Sequence, residues 1–277
     1  MHERDYDLER ETVKLTVYHV DAFADEVFKG NPARVCPLTS WLDDVTMQKI
    51  AAEYNVSETA FFVKDDTSNT YHIRWFSPTE EVELCGHATL ASAFIICEYI
   101  DMSARELTFH SKGGILKVRK EEHHYTLILD AKMPVRDIEY ITLFNATIGE
   151  EPIQVYKGLD YILIYDNETT IRNIKPRFDA LKSLDLRGIC ITAKGDEKDF
   201  VYRFFAPKLG INEDYITGSA CTSLAPLWAE ILGKKELHST QLSERGSDIV
   251  CSLDENGSKV AVSGQCVLFS KGEIYLP

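Results

Sequence analysis

Residues Arg74–Cys97 read RWFSPTEEVELCGHATLASAFIIC, and a variant of this stretch recurs at Arg203–Leu232 as RFFAPKLGINEDYITGSACTSLAPLWAEIL. Both copies begin with Arg, an aromatic residue, Phe, a small residue and Pro. Their first residues lie 129 positions apart, and the glycines that precede each small, apolar run, Gly86 and Gly218, lie 132 apart. Two copies at half-chain spacing indicate a duplicated domain rather than a solenoid of many short repeats. We therefore expect two similar domains that place two equivalent helix starts around one site.

The composition restricts the class of protein and its partners. The chain has 277 residues, of which 44% are hydrophobic and 27% charged, which is typical of a globular protein. A net charge of −14 disfavours binding to nucleic acid or to an anionic membrane. No segment approaches the ~18 consecutive apolar residues of a membrane span. Seven cysteines without CxxC spacing indicate reduced thiols, so we expect a cytoplasmic protein.

The fold class predicted from the pattern is α+β. The run from Ala88 to Tyr99 has no strong polar face before Glu98, so a helix there must be buried nearly all round. Three strand-like segments follow it, and a curled, barrel-like sheet around a central helix would bury such an element on every side. The second helix should begin near Ser219 and end at Gly233.

Other segments carry weaker signals. Residues 1–12 are polar and charged, which predicts a frayed extension. Gln241–Arg245 is interpreted as a strand, and Ser57–Thr59 as a short polar loop. The domain boundary is expected near 130–137, where Pro134 interrupts the strand pattern.

The two helix starts are candidate anion-binding sites. Backbone amides and the helix dipole attract a carboxylate or a developing enolate. Gly86 and Gly218 would let a substrate approach the backbone closely, while His87, Thr217 and Ser219 add hydrogen-bonding groups. The alternative is that these are ordinary turn glycines and caps.

Two acids are candidates for proton transfer. Glu58 is the only acid in the stretch 55–63, and it precedes a buried-looking strand, a setting suited to a general base. Asp214 lies four residues before Gly218. Each of these acids could equally be a solvated surface residue.

No cofactor or metal is expected. The sequence contains no HxH, HExxH or paired-cysteine spacing, which disfavours a metal site. It also lacks the GxGxxG, GxSxG and P-loop patterns of common cofactor and nucleophile sites.

With these motifs assembled, the chain resembles the phenazine-biosynthesis PhzF-like family, relatives of the cofactor-independent diaminopimelate epimerases. The resemblance implies two curled β-barrels, each around a central helix, with the active site in the cleft between them. It implies a final strand that returns to the first domain, giving domains 13–130 plus about 266–277 and 131–265, and a homodimer. The carriers, in chain order, are VDAFADEVFKGNPARVC, QKIAAEYNVSETAFF, IRWFSPTEEVELCGHATLASA, YRFFAPKLGINEDYITGSACTSLAPLW and QLSERG.

The resemblance also implies roles for six residues. The Glu of the SET triplet, Glu58, would be the general acid/base, and the His of CGHAT, His87, an orienting and proton-relay group. The acid before TGSA is Asp214, which completes the catalytic set. The carboxylate-cradling helix starts are Gly86, Gly218 and Ser219. The implied activity is a cofactor-independent isomerase that moves a proton on a small carboxylate-bearing substrate.

Two alternative functions are considered. The epimerase relatives use two cysteines; Cys85 matches the first, but the second motif position is Thr217, with Cys221 one helical turn later. The chain would then be a two-base, Cys85-dependent amino-acid racemase or epimerase. The third possibility is a non-catalytic small-molecule binding protein.

Overall fold

The computed structural model describes residues 13–137, 139, 141–183 and 187–276, so the predicted extension at 1–12 lies outside the described residues. The strands are β1 (Val13–Ala22), β2 (Asn31–Leu38), β3 (Glu58–Lys64), β4 (Thr70–Phe76), β5 (Glu81–Val82), β6 (Glu106–Ser111), β7 (Gly114–Glu121), β8 (His124–Asp130), β9 (Val135–Arg136), β10 (Gln154–Lys157), β11 (Tyr161–Ile164), β12 (Ile189–Lys194), β13 (Phe200–Phe205), β14 (Glu236–Gln241), β15 (Ser247–Leu253), β16 (Lys259–Gly264) and β17 (Cys266–Leu276). The α-helices are α1 (Asp44–Tyr54), α2 (Gly86–Ile95), α3 (Ile141–Ile148), α4 (Glu168–Asn173), α5 (Phe178–Lys182) and α6 (Cys221–Leu232).

Strand pairing repeats between the two halves of the chain. The strands of the first half, joined at β1 by the last strand of the chain, pair in the order β17, β1, β2, β3, β4, β6, β7 and β8, and only β2–β3 and β4–β6 are parallel. In the second half, the order from β9 to β16 follows the chain, and only β11–β12 and β13–β14 are parallel. An antiparallel pairing of β8 with β16 joins the halves. The predicted α+β fold of two similar curled domains is confirmed.

The boundaries of the two domains remain a proposal. We place β17 in the first domain, as the family resemblance implied, because it pairs with β1 from Val13 to Ala22. The divisions at 130/131 and 265/266 then fall on either side of the β9–β16 unit.

Each half holds a central, apolar helix. Residues 87–93 of α2 are all buried, and the helix packs against β1, β2, β3 and β8. Residues 221–228 of α6 are also buried, against β14, β15 and β16. Gly233 ends α6 in the left-handed conformation, as predicted. Within the described ranges, no helix is long and apolar enough to cross a membrane.

The repeated motif holds the same ion pair twice. Arg74 donates two hydrogen bonds to Glu81, at 2.7 and 2.8 Å, and Arg203 donates two to Glu213, at 2.7 and 2.9 Å. The partners are 7 residues apart in the first copy and 10 in the second, so the three additional residues of the second copy lie between them. Each forked pair fixes the loop that leads from the strand carrying the arginine, β4 or β13, to the central helix that follows.

Two local predictions were wrong. Glu58 is not in a loop but begins β3, in parallel register with Ala33 of β2. Of the strand predicted at Gln241–Arg245, only Gln241 is in a strand, because β14 ends there and a turn follows in which Gly246 has a φ of +57°. The side chain of Ser243 closes this turn by accepting from the Gly246 amide at 3.0 Å.

Candidate active site

A cavity of about 220 Å³ lies between the two domains, at the starts of both central helices. At ~30 Å³ per water molecule, it has room for about seven waters, which suits a small substrate. All six predicted site residues line this cavity: Glu58, Gly86, His87, Asp214, Gly218 and Ser219. The structure thus brings together residues that are as much as 161 positions apart in the sequence, from Glu58 to Ser219.

Glu58 and His87 form a buried pair. Glu58 Oε2 lies 3.1 Å from His87 Nε2, with side-chain exposures of only 13% and 8%. Glu58 reaches the cavity because it is the first residue of β3, and His87 because it is in the first turn of α2. Among the described residues, Glu58 Oε2 has no aligned hydrogen-bond donor although it is buried. A buried carboxylate oxygen in this condition is well suited to accept a proton.

Opposing influences act on the pKa of His87. Burial lowers it, but Cys85 and Glu58 together outweigh burial and raise the pKa of His87 well above its ordinary value. Burial also raises the pKa of the Cys85 thiol to about 11. His87 can donate hydrogen bonds to Glu58 or to an anion in the cavity.

Asp214 is held by a network of side chains from both domains. Its Oδ1 accepts from Asn31 Nδ2 at 2.8 Å, and its Oδ2 accepts from Thr217 Oγ1 at 2.6 Å. Burial raises the pKa of Asp214 to about 6, although nearby His87 and the two hydrogen bonds act in the other direction. Its carboxyl group can consequently change protonation state near neutral pH.

Asn31 and Gln241 position this network. Asn31 also donates to Ile216 O at 2.9 Å and accepts from Ser57 Oγ at 3.2 Å, beside Glu58. Gln241 accepts from the Thr217 amide and donates to the Asp214 carbonyl, both at 2.7 Å. Both amide side chains are fully buried, and they fix the loop that presents Asp214 to the cavity.

The two helix starts at the cavity have no side-chain cap. Cys85 precedes α2, and Thr217 precedes the 3₁₀ turn 218–220 that leads into α6; neither caps the amides that follow it. By contrast, α1 and α4 begin with side-chain caps from Asp43 and Asn167. Helix starts without a side-chain cap are suited to bind an anion.

The glycine at the second helix start packs closely against an aromatic ring of the first domain. A Cβ on Gly218 would lie 3.2 Å from a ring carbon of Phe23, whereas a Cβ on Gly86 would meet only Leu127 Cδ2, at 3.4 Å. Phe23 reaches Gly218 from the first domain, so the two domains are in close contact at this point.

The thiols required by a two-cysteine mechanism are not both in the cavity. Cys85 lines it, with its sulfur 3.6 Å from His87 Nδ1, and Thr217 occupies the second motif position. Cys221 is buried in the second domain, where its sulfur lies 3.8 Å from the hydroxyl of Tyr202.

Three of the cavity residues could hold a metal ion. Ligand atoms of Glu58, Cys85 and His87 all lie within 4.8 Å of one another. Carboxylate, thiolate and imidazole are the ligands that Zn²⁺ uses in proteins. The sequence has no metal-binding spacing because these three groups come together only in the tertiary structure.

Three residues of the site were missed in the sequence. Asn31 and Gln241 lie in KGNPA and QLSERG, motifs that carried the family resemblance, and their place in those motifs was the available signal. Arg187, which lines the cavity from the second domain, had no such signal because it precedes an unremarkable apolar strand.

Comparison with known proteins shows the family and the fold. The profile of the phenazine biosynthesis-like protein family matches residues 20–272. A protein of Pseudomonas aeruginosa named an uncharacterized isomerase is 44% identical over 264 residues, which are 95% of this chain and 100% of that one. A crystal structure of a PhzF-family phenazine biosynthesis protein from Enterococcus faecalis has a TM-score of 0.91 at 44% identity, covering 95% of this chain and 100% of that chain.

A more distant likeness concerns the fold alone. A hydroxyproline epimerase from Agrobacterium vitis, whose structure contains trans-4-hydroxy-L-proline, has a TM-score of 0.61 at 10% identity. The alignment covers 95% of this chain and 93% of that chain. The curled two-domain architecture therefore extends beyond the closer relatives.

Proposed function

This chain belongs to the phenazine biosynthesis-like (PhzF) family and is an isomerase, and we propose that it moves a proton on a small carboxylate-bearing substrate with Glu58 as the general acid/base. The observation that carries the proposal is the buried Glu58–His87 pair, which lies in one cavity with two uncapped helix starts. No organic cofactor is needed for this chemistry.

The proton transfer proceeds in two steps. Glu58 Oε2 takes a proton from an acidic carbon of the substrate, and the electron pair of the broken C–H bond delocalises into the substrate. The new O–H bond on Glu58 then breaks as the proton passes to a different carbon of the same intermediate. His87, whose Nε2 lies 3.1 Å from Glu58 Oε2, orients that carboxylate and can donate a hydrogen bond to negative charge that develops beside it.

The helix starts bind the substrate carboxylate in this proposal. No side chain caps the amides after Cys85 and Thr217, and Gly86 and Gly218 line the cavity at these two positions. Ser219 lines the same end of the cavity. Binding an anion here also favours the delocalised intermediate, since both carry negative charge at the same position. Asp214 orients the substrate and exchanges a proton with it.

The alternatives are less well supported. A two-thiol racemase needs a deprotonated Cys85 and a second thiol, but the pKa of Cys85 is raised to about 11 and Cys221 lies in the core of the second domain. A binding protein without turnover is disfavoured by the isomerase names of relatives that are 40–44% identical over nearly the whole chain.

Two further parts of the proposal concern the cellular setting. Seven buried cysteines, none in a disulfide, favour the reducing cytoplasm. A homodimer, which the family resemblance implies, remains a prediction to be tested by the mass of the protein in solution.

The test is proton exchange in D₂O. The enzyme is incubated with a panel of small carboxylic acids, and deuterium incorporation and product formation are followed by mass spectrometry and NMR. For any acid that reacts, Glu58→Gln should lower the rate by about 10²–10⁴-fold, because it removes the base and preserves the shape.

The matched control is Glu53→Gln, an exposed residue of α1 five positions earlier, which should exchange at the wild-type rate. If the Glu58→Gln enzyme retained the wild-type exchange rate with a substrate that turns over, the assigned role of Glu58 would be wrong.

A further inference from the structure

Arg187 is a cationic residue of the cavity that the proposed proton transfer does not use. It lines the same cavity as Glu58 but comes from the second domain, two residues before β12. Its side chain is 35% exposed, so it is accessible from the cavity.

The internal symmetry of the fold relates Arg187 to the catalytic region. In the first domain Thr59 of β3 pairs with Phe76, and in the second Ile189 of β12 pairs with Phe205, the equivalent residue of the repeat. The counterpart of Glu58 is therefore Gly188. Arg187 precedes this glycine, so the position that carries an acid in one domain is adjacent to a cation in the other.

Neighbouring side chains hold the guanidinium in place. Arg187 Nη2 donates a hydrogen bond to Oδ2 of Asp160, a side chain that is only 7% exposed. The guanidinium carbon also lies 5.7 Å from the centre of the Phe204 ring. A Cβ on Gly188 would come within 2.4 Å of Phe204 Cζ and 2.9 Å of Asp160 Oδ1, so only glycine allows this packing.

The contacts with the protein leave much of this guanidinium unused. An arginine has five N–H donors in a rigid fork that matches a carboxylate. Among the described residues, the buried Nε of Arg187 has no hydrogen-bond partner. The described contacts thus use one N–H group of the fork, the Nη2 donor to Asp160. Because the side chain is 35% exposed and lines the cavity, an anion there can accept hydrogen bonds from the other terminal N–H groups.

We propose that Arg187 binds a second carboxylate of the substrate, so that the substrate class is small dicarboxylic acids. The inference rests on the proposed function, in which the first carboxylate binds at the two helix starts. Arg187 then selects the substrate and sets its orientation, while Glu58 acts on a carbon between the two anionic ends. The small volume of the cavity, about 220 Å³, restricts the acid to a short chain.

The test is calorimetric titration at pH 7.5 with three matched ligand pairs: malonate and propionate, succinate and butyrate, and glutarate and valerate. For at least one pair, the dicarboxylate should bind the wild-type enzyme about tenfold or more tightly, as expected for a charge-assisted contact. Arg187→Met should reduce that preference to about twofold or less. Arg119→Met, an exposed arginine paired with Glu106, is the control and should leave it unchanged.

Arg187→Lys guards against a Met variant that fails to fold. It keeps the charge but loses the fork, and should weaken dicarboxylate binding while leaving monocarboxylate binding unchanged. The proposal is overturned if no pair shows a preference in the wild-type enzyme, if the preference survives in Arg187→Met, or if the Lys variant binds all six ligands as the wild type does. Those results would leave the role of Glu58 standing, because proton exchange tests it separately. Conversely, the dicarboxylate preference could depend on Arg187 while Glu58→Gln exchanges protons at the wild-type rate. That combination would overturn the role of Glu58 and leave the role of Arg187 standing.

Discussion

Asp214→Asn should change how stability depends on pH. The pKa of Asp214 is about 6 in the folded protein against an ordinary value of 3.8, chiefly because of burial. The folded state therefore binds the proton more tightly than the unfolded state does. This stabilising contribution is complete below pH ~4 and is lost as the pH rises through 6. At ~1.4 kcal/mol per pKa unit, a shift of about two units gives up to about 3 kcal/mol.

The measurement is urea unfolding of the wild type and Asp214→Asn at pH 4, 5, 6 and 7. From pH 4 to pH 7, the free energy of unfolding of the variant should rise relative to that of the wild type by about 1–3 kcal/mol. The trend with pH carries the test, because Asn can accept from only one of Asn31 and Thr217 and so adds a constant loss. Asp66→Asn, at an exposed position, controls for the removal of one negative charge. A difference between Asp214→Asn and the wild type that stays constant from pH 4 to 7 would refute the reasoning.

Three further perturbations test other parts of the account. Gly218→Ala should destabilise the protein by about 1–3 kcal/mol, because the new methyl group meets the ring of Phe23. Gly86→Ala should cost less, and chemical unfolding measures both losses. Equal losses would contradict the packing argument. Zn²⁺ should inhibit the isomerase reversibly by binding Glu58 and His87, and Cys85→Ala should weaken that inhibition by removing the third ligand. Dose–response curves with and without EDTA measure both effects. Inhibition of equal strength in the variant would exclude this metal site. Arg245→Met should lower the free energy of unfolding by about 3 kcal/mol, because it leaves the buried Asp21 carboxylate without the guanidinium that lies 2.7 Å from it. Chemical unfolding measures this loss. A stability within about 0.5 kcal/mol of the wild type would show that this ion pair between the domains is dispensable.

The duplicated fold could be predicted from the sequence because its markers are local. The Arg-aromatic-Phe-small-Pro pattern and the glycine before each apolar run survive in both copies, and each fixes a feature of the backbone. In the structure, Arg74 and Arg203 make the same forked contact, and even the three-residue offset between the copies has a definite place. The central helices were equally evident, since a helix without a polar face must be buried.

Contacts between distant segments could not be predicted in this way. Asn31 donates to Asp214, 183 positions away, and nothing in the residues around Asn31 shows that its amide is fully buried. Gln241 was interpreted as part of a strand that continues to residue 245, because a local pattern does not show where a side chain leaves the sheet to bind another loop. Arg187 lines the cavity because strand pairing places its neighbour Gly188 at the position equivalent to Glu58.

The assignment of Glu58 as a strand residue rather than a loop residue illustrates the same limit. The Ser-Glu-Thr triplet is polar and favours a loop locally, yet parallel pairing with Ala33 extends β3 to include the acid. This placement fixes the carboxylate on a rigid element beside His87, which suits a catalytic group better than a loop would.

The most direct test of the central claim compares Glu58→Gln with Cys85→Ala on one substrate in one exchange assay. If Glu58 carries the proton, Glu58→Gln should lose about 10²–10⁴-fold in rate, while Cys85→Ala stays within about tenfold of the wild type. The opposite pattern, with a dead Cys85→Ala enzyme and a Glu58→Gln enzyme at the wild-type rate, would contradict the account and establish a thiol as the base.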